Sequence, residues 1–157
     1  MAETRDLWRR DFAGTGSDLR SPGEILRGQA SLLVGKTDKL IQGRVEDSTD
    51  FQSKMLSQRF VLVVPALRNY QYVLFRIEYP VVLYPVTFFD SPAHECEKAA
   101  NEAEFVRMLS DVFTCAETTR AIRSLMTLAR EEQRRVQQMH KRVLAMRRKT
   151  AQAKERA

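Results

Sequence analysis

The sequence predicts an α+β fold: an antiparallel sheet of about four strands in the order α-β-β-β-β-α-α, with helices packed on one face and a long basic C-terminal helix. Three observations predict it. Apolar residues recur at helical spacing near residues 25–33 and again from Phe105 onward, whereas between Ile41 and Phe89 the dominant period is two. The strand-like stretches follow one another without a helix-length crossover, which selects a meander over a parallel sheet. No proline occurs after Pro92, so nothing forces the last helix to stop.

Each element has a local reason. Ser21-Pro22-Gly23-Glu24 is a helix start. Ser21 can accept from the third helical amide, Pro22 suits the first helical position, and Glu24 can reach back to the Ser21 amide. Ile25, Leu26, Ala30, Leu32 and Leu33 then form an apolar stripe, and the helix is expected to end at Gly35 or to run on to about Leu40. Ile41, Gly43 and Val45 alternate with Gln42, Arg44 and Glu46 as a first, half-buried strand. A polar loop is expected over 47–56, a second strand over 59–66 and a third over 70–79, with a hairpin connection between the last two. In the third strand, Val73, Phe75, Ile77 and Tyr79 alternate with Tyr72, Leu74, Arg76 and Glu78. The fourth strand is expected over 81–89. Pro85 lies within it and lacks a donor, which marks an edge or a bulge.

Asn101 to Glu104 is a second cap-like start, followed by the apolar face Phe105, Met108, Leu109, Val112 and Phe113. Thr114-Cys115-Ala116-Glu117 repeats the pattern and predicts a bend with a new helix beyond it. Residues 1–20 are read as a flexible arm with Leu7, Trp8 and Phe12 as its large apolar groups, although Trp8 and Phe12, four apart, could form one amphipathic turn. The expected organisation is therefore an arm over 1–20, a single α+β domain over 21–129 and a basic helical extension over 130–157.

Charge separates the last two. Residues 130–157 carry ten Lys/Arg against three Asp/Glu, a net +7, while the whole chain of 157 residues is +6. The body is thus close to neutral at −1. Hydrophobic content of 43% with 29% charged residues excludes wholesale disorder. No apolar run approaches the roughly 18 residues of a membrane span. The charged start Met1 to Trp8 lacks the apolar segment of a signal peptide, and the two cysteines do not make a disulfide framework, so the expected location is cytoplasmic.

Three features are candidates for function. Eight of the thirteen aromatics fall within 60–89, and the second and fourth strands read as apolar on both faces. One helical layer covers one face, so the other is either covered by the chain's own arms or meets a partner. Tyr72, Tyr84 and Phe88 are the interface candidates there, since Tyr-rich apolar surface is the composition of interface cores. The second feature is the spacing of Ile122, Leu125, Ala129, Glu132, Val136, Met139, Val143 and Met146, which alternates three and four and is an a/d heptad register with one polar break at Glu132. Val136, Met139 and Val143 are the interface candidates on that helix. The third is its charge: Arg134, Arg135, Lys141, Arg142, Arg147, Arg148 and Lys149 could neutralise nucleic-acid phosphates. An anionic membrane is the weaker target, because the stripe has no Trp or Phe. The third strand lacks the basic-Gly-aromatic signature of RNA-binding sheets.

Catalytic constellations are thin, and the residues nominate no catalytic, cofactor-binding or metal site. His94, Glu95 and Cys96 put a nitrogen, a carboxylate and a thiol in one loop, but without the paired spacing of zinc ligands or an evident orienting partner for a nucleophile. Gly35-Lys36-Thr37 resembles the end of a phosphate loop, yet the glycine five residues earlier is Ala30 within a helix. The reading that best fits the residues is a non-catalytic interaction protein that self-associates or binds a protein partner. Nucleic-acid binding through the basic helix is the alternative, and a small enzyme the third option.

Overall fold

The computed structural model describes residues 5–8, 12, 19–50 and 52–156, and its architecture is α+β. Helix α1 spans Pro22–Lys36, strands β1 to β5 span Gln42–Asp47, Met55–Val64, Tyr70–Pro80, Val86–Phe89 and Lys98–Ala99, and helices α2 and α3 span Glu102–Thr114 and Ala116–Glu155. The strands pair in chain order, each antiparallel to the next. Most of the expected arm over 1–20 lies outside the described residues. Among those described there, Arg20 pairs with Glu102 at 2.7 Å and ties the entry of α1 to the start of α2.

The helix starts are made locally. Ser21 Oγ accepts from the Glu24 amide at 3.1 Å, and Asn101 Oδ1 accepts from the Glu104 amide at 2.9 Å. Glu104 in turn accepts from the Ala100 amide at 2.7 Å, one residue further out than a capping box requires. The break between α2 and α3 falls where it was expected but is capped otherwise. Cys115, not Thr114, is the extended N-cap residue of α3, and its side chain makes no cap bond. The freed end of α2 is satisfied from the next helix: Thr118 Oγ1 donates to the Val112 carbonyl at 2.6 Å. Helix α1 ends at Lys36, between the two expected limits. The buried Thr37 hydroxyl then accepts from the Ile41 amide at 3.1 Å, while Asp38 and Lys39 take left-handed conformations that turn the chain into β1.

One core joins all three helices to one face of the sheet. Ile25, Leu26 and Ala30 of α1, Phe60, Leu62 and Val64 of β2, Phe75 and Ile77 of β3, Val86 and Phe88 of β4, Phe105 and Leu109 of α2, and Leu125 and Ala129 of α3 belong to the same buried cluster. Leu32 of the expected α1 stripe is exposed instead. Aromatic rings run through the cluster: Phe60 stacks on Phe75 at 5.5 Å, Phe75 meets Phe88 at 5.7 Å, and Phe88 meets Phe105 at 5.7 Å. Such pairs add roughly 0.5–1.5 kcal/mol each beyond the area they bury. Helix α1 reaches the sheet closely because Gly43 has no side chain; a Cβ there would stand 2.7 Å from both Cα and the carbonyl oxygen of Ala30.

Two details of the sheet depart from simple alternation. Phe60 pairs with Phe75 but Val61 pairs with Val73, so Leu74 is an extra residue in β3. The bulge turns Leu74 into the core and moves Val73 to the outer face, opposite Val61, where strict alternation had put Val73 beside Phe75. The expected fourth strand is also shorter. The segment following Pro80 makes a turn closed by a Leu83 amide to Pro80 carbonyl bond of 2.8 Å, and only Val86–Phe89 pair as β4. Pro85 stands just before the ladder, where its missing donor costs no ladder bond. The two-residue β5 was not foreseen.

Candidate interaction surfaces

The outer face of the sheet is polar over much of its area. Arg44 and Arg59 both pair with Glu46 at 2.7 Å, and Arg76 pairs with Glu78 while its guanidinium lies 4.5 Å from the centre of the Phe89 ring. A shallow cavity of about 450 Å³ on this face is lined by Asp50, Arg59, Val73, Arg76, Glu78 and Asp90 among others, so charges of both signs meet within it. Val61 and Val63 of β2 are buried. The expectation of apolar residues on both faces therefore holds for β2 and is corrected for the fourth strand. The residues after Pro80 belong to a turn, and the face away from the helices carries ion pairs between its valines.

The sheet's three candidates separate accordingly. Phe88 is wholly inside the core, at 0% exposure, and presents nothing to a partner in this conformation. Tyr84 is half-buried beside Phe105, with ring centres 6.5 Å apart, and its hydroxyl is buried without a hydrogen-bond partner among the described residues. Burial, followed by the Glu102 carboxylate, raises the Tyr84 pKa. Tyr72 is 39% exposed and shares a small cavity with Ser91, Pro92, Glu117 and Thr118, at the end of β3 that β4 does not reach.

Helix α3 brings the other candidates together. It is a single helix of 40 residues, on the order of 60 Å long. Residues 130–155 contain neither glycine nor proline and are dominated by Arg, Lys, Glu, Gln, Ala and Met, all strong helix formers. Leu125 and Ala129 are buried against the body, but beyond Ala129 none of the described residues is. The helix therefore projects for roughly 40 Å past its last buried residue. The heptad stripe continues along this projection in the open: Val136 is 56% exposed, Met139 57%, Val143 45% and Met146 70%. Leu144, which lies off the stripe, is exposed as well. Of the nucleic-acid candidates, Arg134, Lys141 and Arg148 lie seven apart on the side of the helix away from the stripe, and Arg135, Arg142 and Lys149 run along one flank of it. Arg147 borders the other flank. Arg135 pairs with Glu132 at 3.7 Å. At the base of the projection, Arg130 pairs with Asp38 at 3.0 Å, bracing α3 against the turn after α1.

The loop containing His94, Glu95 and Cys96 is held by hydrogen bonds between its own groups and α2. His94 Nδ1 lies 2.7 Å from Glu97 and Nε2 lies 2.7 Å from Asp111, so the ring bridges the loop to α2. The bonds to Glu97 and Asp111 raise the His94 pKa. Glu95 accepts from the Ser91 and Asp90 amides, and those bonds lower its pKa. Cys96 is exposed and free, and local desolvation together with the Glu95 carboxylate raises its thiol pKa. Cys115 is also free and lies 3.3 Å from the Val112 carbonyl. Among the described residues no group of three or more His, Cys, Asp or Glu is placed to hold a metal ion, and no helix is long and apolar enough to cross a membrane.

Comparison with protein families, with curated proteins and with solved structures finds no match.

The heptad spacing was the signal that found the stripe. The bracing of His94 by Asp111 was missed, and nothing in the sequence signals it, because the two residues lie seventeen positions apart and meet only through the packing of the loop on α2.

Proposed function

We propose that this protein is a non-catalytic protein-interaction module whose working surface is the projecting half of α3. One observation carries the reading. The stripe that is core at Leu125 and Ala129 continues without a break in register into Val136, Met139, Val143 and Met146, all exposed. Most helical stability in proteins comes from packing an apolar face, and beyond Ala129 this face has nothing packed on it among the described residues. A partner laid on the stripe would supply that packing. The sheet's outer face, with its balanced ion pairs, supports this role less well than the helix does.

The test is capture from a native extract by the full chain and by a Val136→Glu/Val143→Glu variant, each with and without nuclease, alongside sedimentation velocity of the purified proteins. The proposal expects association that resists nuclease and is lost in the variant. Association unchanged by the double substitution would remove the stripe from the interface. The second reading is nucleic-acid binding, favoured by the seven exposed Arg/Lys between Arg134 and Lys149. It expects nuclease-sensitive capture that falls steeply with salt and does not depend on Val136 or Val143.

A further inference from the structure

We infer that the exposed stripe of α3 receives an acidic amphipathic helix of another protein in preference to a second copy of this chain. The inference rests on the interaction reading above and concerns the chemistry of the occupant. In the register set by Leu125 and Ala129, the positions flanking the stripe are Arg135, Arg142 and Lys149 on one side and His140, Arg147 and Lys154 on the other. The remaining flank position of the projection is Gln133, so no flank position there is acidic. Flank residues set partner choice in paired helices, because they meet across the seam.

Two copies side by side in parallel would put Arg142 of one against Arg147 of the other, and Lys149 against Lys154. They would also bring the two Glu132 carboxylates together within the seam. Two antiparallel copies would set each basic flank against its own kind. Either arrangement juxtaposes like charges, which works against that partner. A helix with Glu or Asp at its flanks and Leu, Ile or Val along its seam would meet the five Arg and Lys residues of the flanks favourably and cover the stripe. The apolar positions distinguish this from phosphate binding, which requires cations but no seam. The stripe is two residues wide per heptad, lacks Trp and Phe, and is followed at once by Arg147 and Arg148, a poor face for insertion into a lipid surface.

The experiment uses the full chain and three labelled three-heptad peptides with leucine at the seam positions: one with Glu flanks, one with Lys flanks, and one with the composition of the Glu peptide but a scrambled register. Fluorescence anisotropy reads binding, and sedimentation equilibrium reads the state of the chain alone. The expected result is a monomeric chain that binds the Glu peptide, with the Lys and scrambled peptides weaker by roughly tenfold or more, as expected when several flank contacts change sign or the seam is lost. Val136→Glu/Val143→Glu should abolish binding of the Glu peptide, and a Val136→Ser/Val143→Ser variant should weaken it with the far-ultraviolet circular dichroism unchanged.

Other results overturn the inference in distinguishable ways. A dimer of the chain alone that the double substitution dissolves keeps the interaction module and replaces the acidic helix with a second copy. Equal binding of Glu and Lys peptides removes the charge preference while leaving the stripe in use. Equal binding of the scrambled Glu peptide, or tighter binding to a short DNA duplex or to phosphatidylserine vesicles, assigns the helix to charge alone. If neither peptide binding nor self-association occurs in a folded chain, the interaction reading fails together with the inference.

Discussion

Leu125→Ala and Val136→Ala are the same kind of change at two points of one stripe, and the structure assigns them opposite consequences. Leu125 is 7% exposed and packs in the shared core, so its truncation removes buried methyl groups and leaves a cavity. Such changes cost about 2–5 kcal/mol. Against a total stability of about 5–15 kcal/mol, that is a large fraction. With a urea dependence of about 1–3 kcal/mol per molar, the unfolding midpoint should fall by on the order of 1 M or more. Val136 is more than half exposed in the isolated chain, so little burial is lost there. Alanine is also the better helix former, by several tenths of a kcal/mol. The stability of Val136→Ala should therefore stay within about 0.5 kcal/mol of the parent. The assay is urea unfolding followed by near-ultraviolet circular dichroism, which reports the aromatic core, because the far-ultraviolet signal includes a helical projection free to fray separately. A Val136→Ala loss as large as that of Leu125→Ala would refute the reasoning. If the loss were independent of concentration, the distal stripe would be packed on the chain's own body. If it faded on dilution, a second copy would already cover it.

Three further outcomes follow from the geometry. Gly43→Ala should destabilise the fold by roughly 1–3 kcal/mol, read from its urea midpoint, because the added methyl meets the Ala30 backbone, which belongs to a rigid helix. Tyr84→Phe should leave stability unchanged or raise it by up to about 1 kcal/mol in thermal unfolding, since it removes a buried hydroxyl that has no partner among the described residues and keeps the ring beside Phe105. The His94 bridge is complete only while the ring is protonated, because a neutral imidazole has one N–H for the two carboxylates. Its pKa in the folded chain is raised above the ordinary 6.5, so the contribution is complete below about pH 6.5 and is lost as pH rises through the folded value. Proton exchange of the 90–97 loop amides, corrected for intrinsic rates, should show that loss, and His94→Gln should abolish the pH dependence. A loop equally protected across that range would refute the bridge.

Much of the architecture could be read locally, and the places where reading failed share one cause. Ser21 and Asn101 cap their helices through atoms three residues away, so the pattern and the bond are the same fact. The seam of α3 was legible because helical periodicity is a property of the chain alone. The sheet was less so. The bulge at Leu74 depends on how β2 and β3 settle against one another, and it moves Val73 to the opposite face without changing a residue. Phe88 looks the same in sequence as an interface aromatic, yet the cluster formed with Phe75 and Phe105 encloses it completely. The polar outer face also depends on pairing, since Glu46 meets Arg59 only across the β1–β2 register.

The order of elements, the helix starts, the basic charge beyond residue 129 and the apolar line along α3 all follow from residues near one another in the chain, where spacing and side-chain chemistry suffice. Where that line stops being core is a different matter. Leu125 and Val136 carry the same signal of spacing and hydrophobicity, and only the extent of the body beneath them separates a buried residue from an exposed one. A period defines a face of a helix, but what covers that face is decided by contacts distant in sequence. It is the end of those contacts at Ala129 that turns the rest of the stripe into a surface.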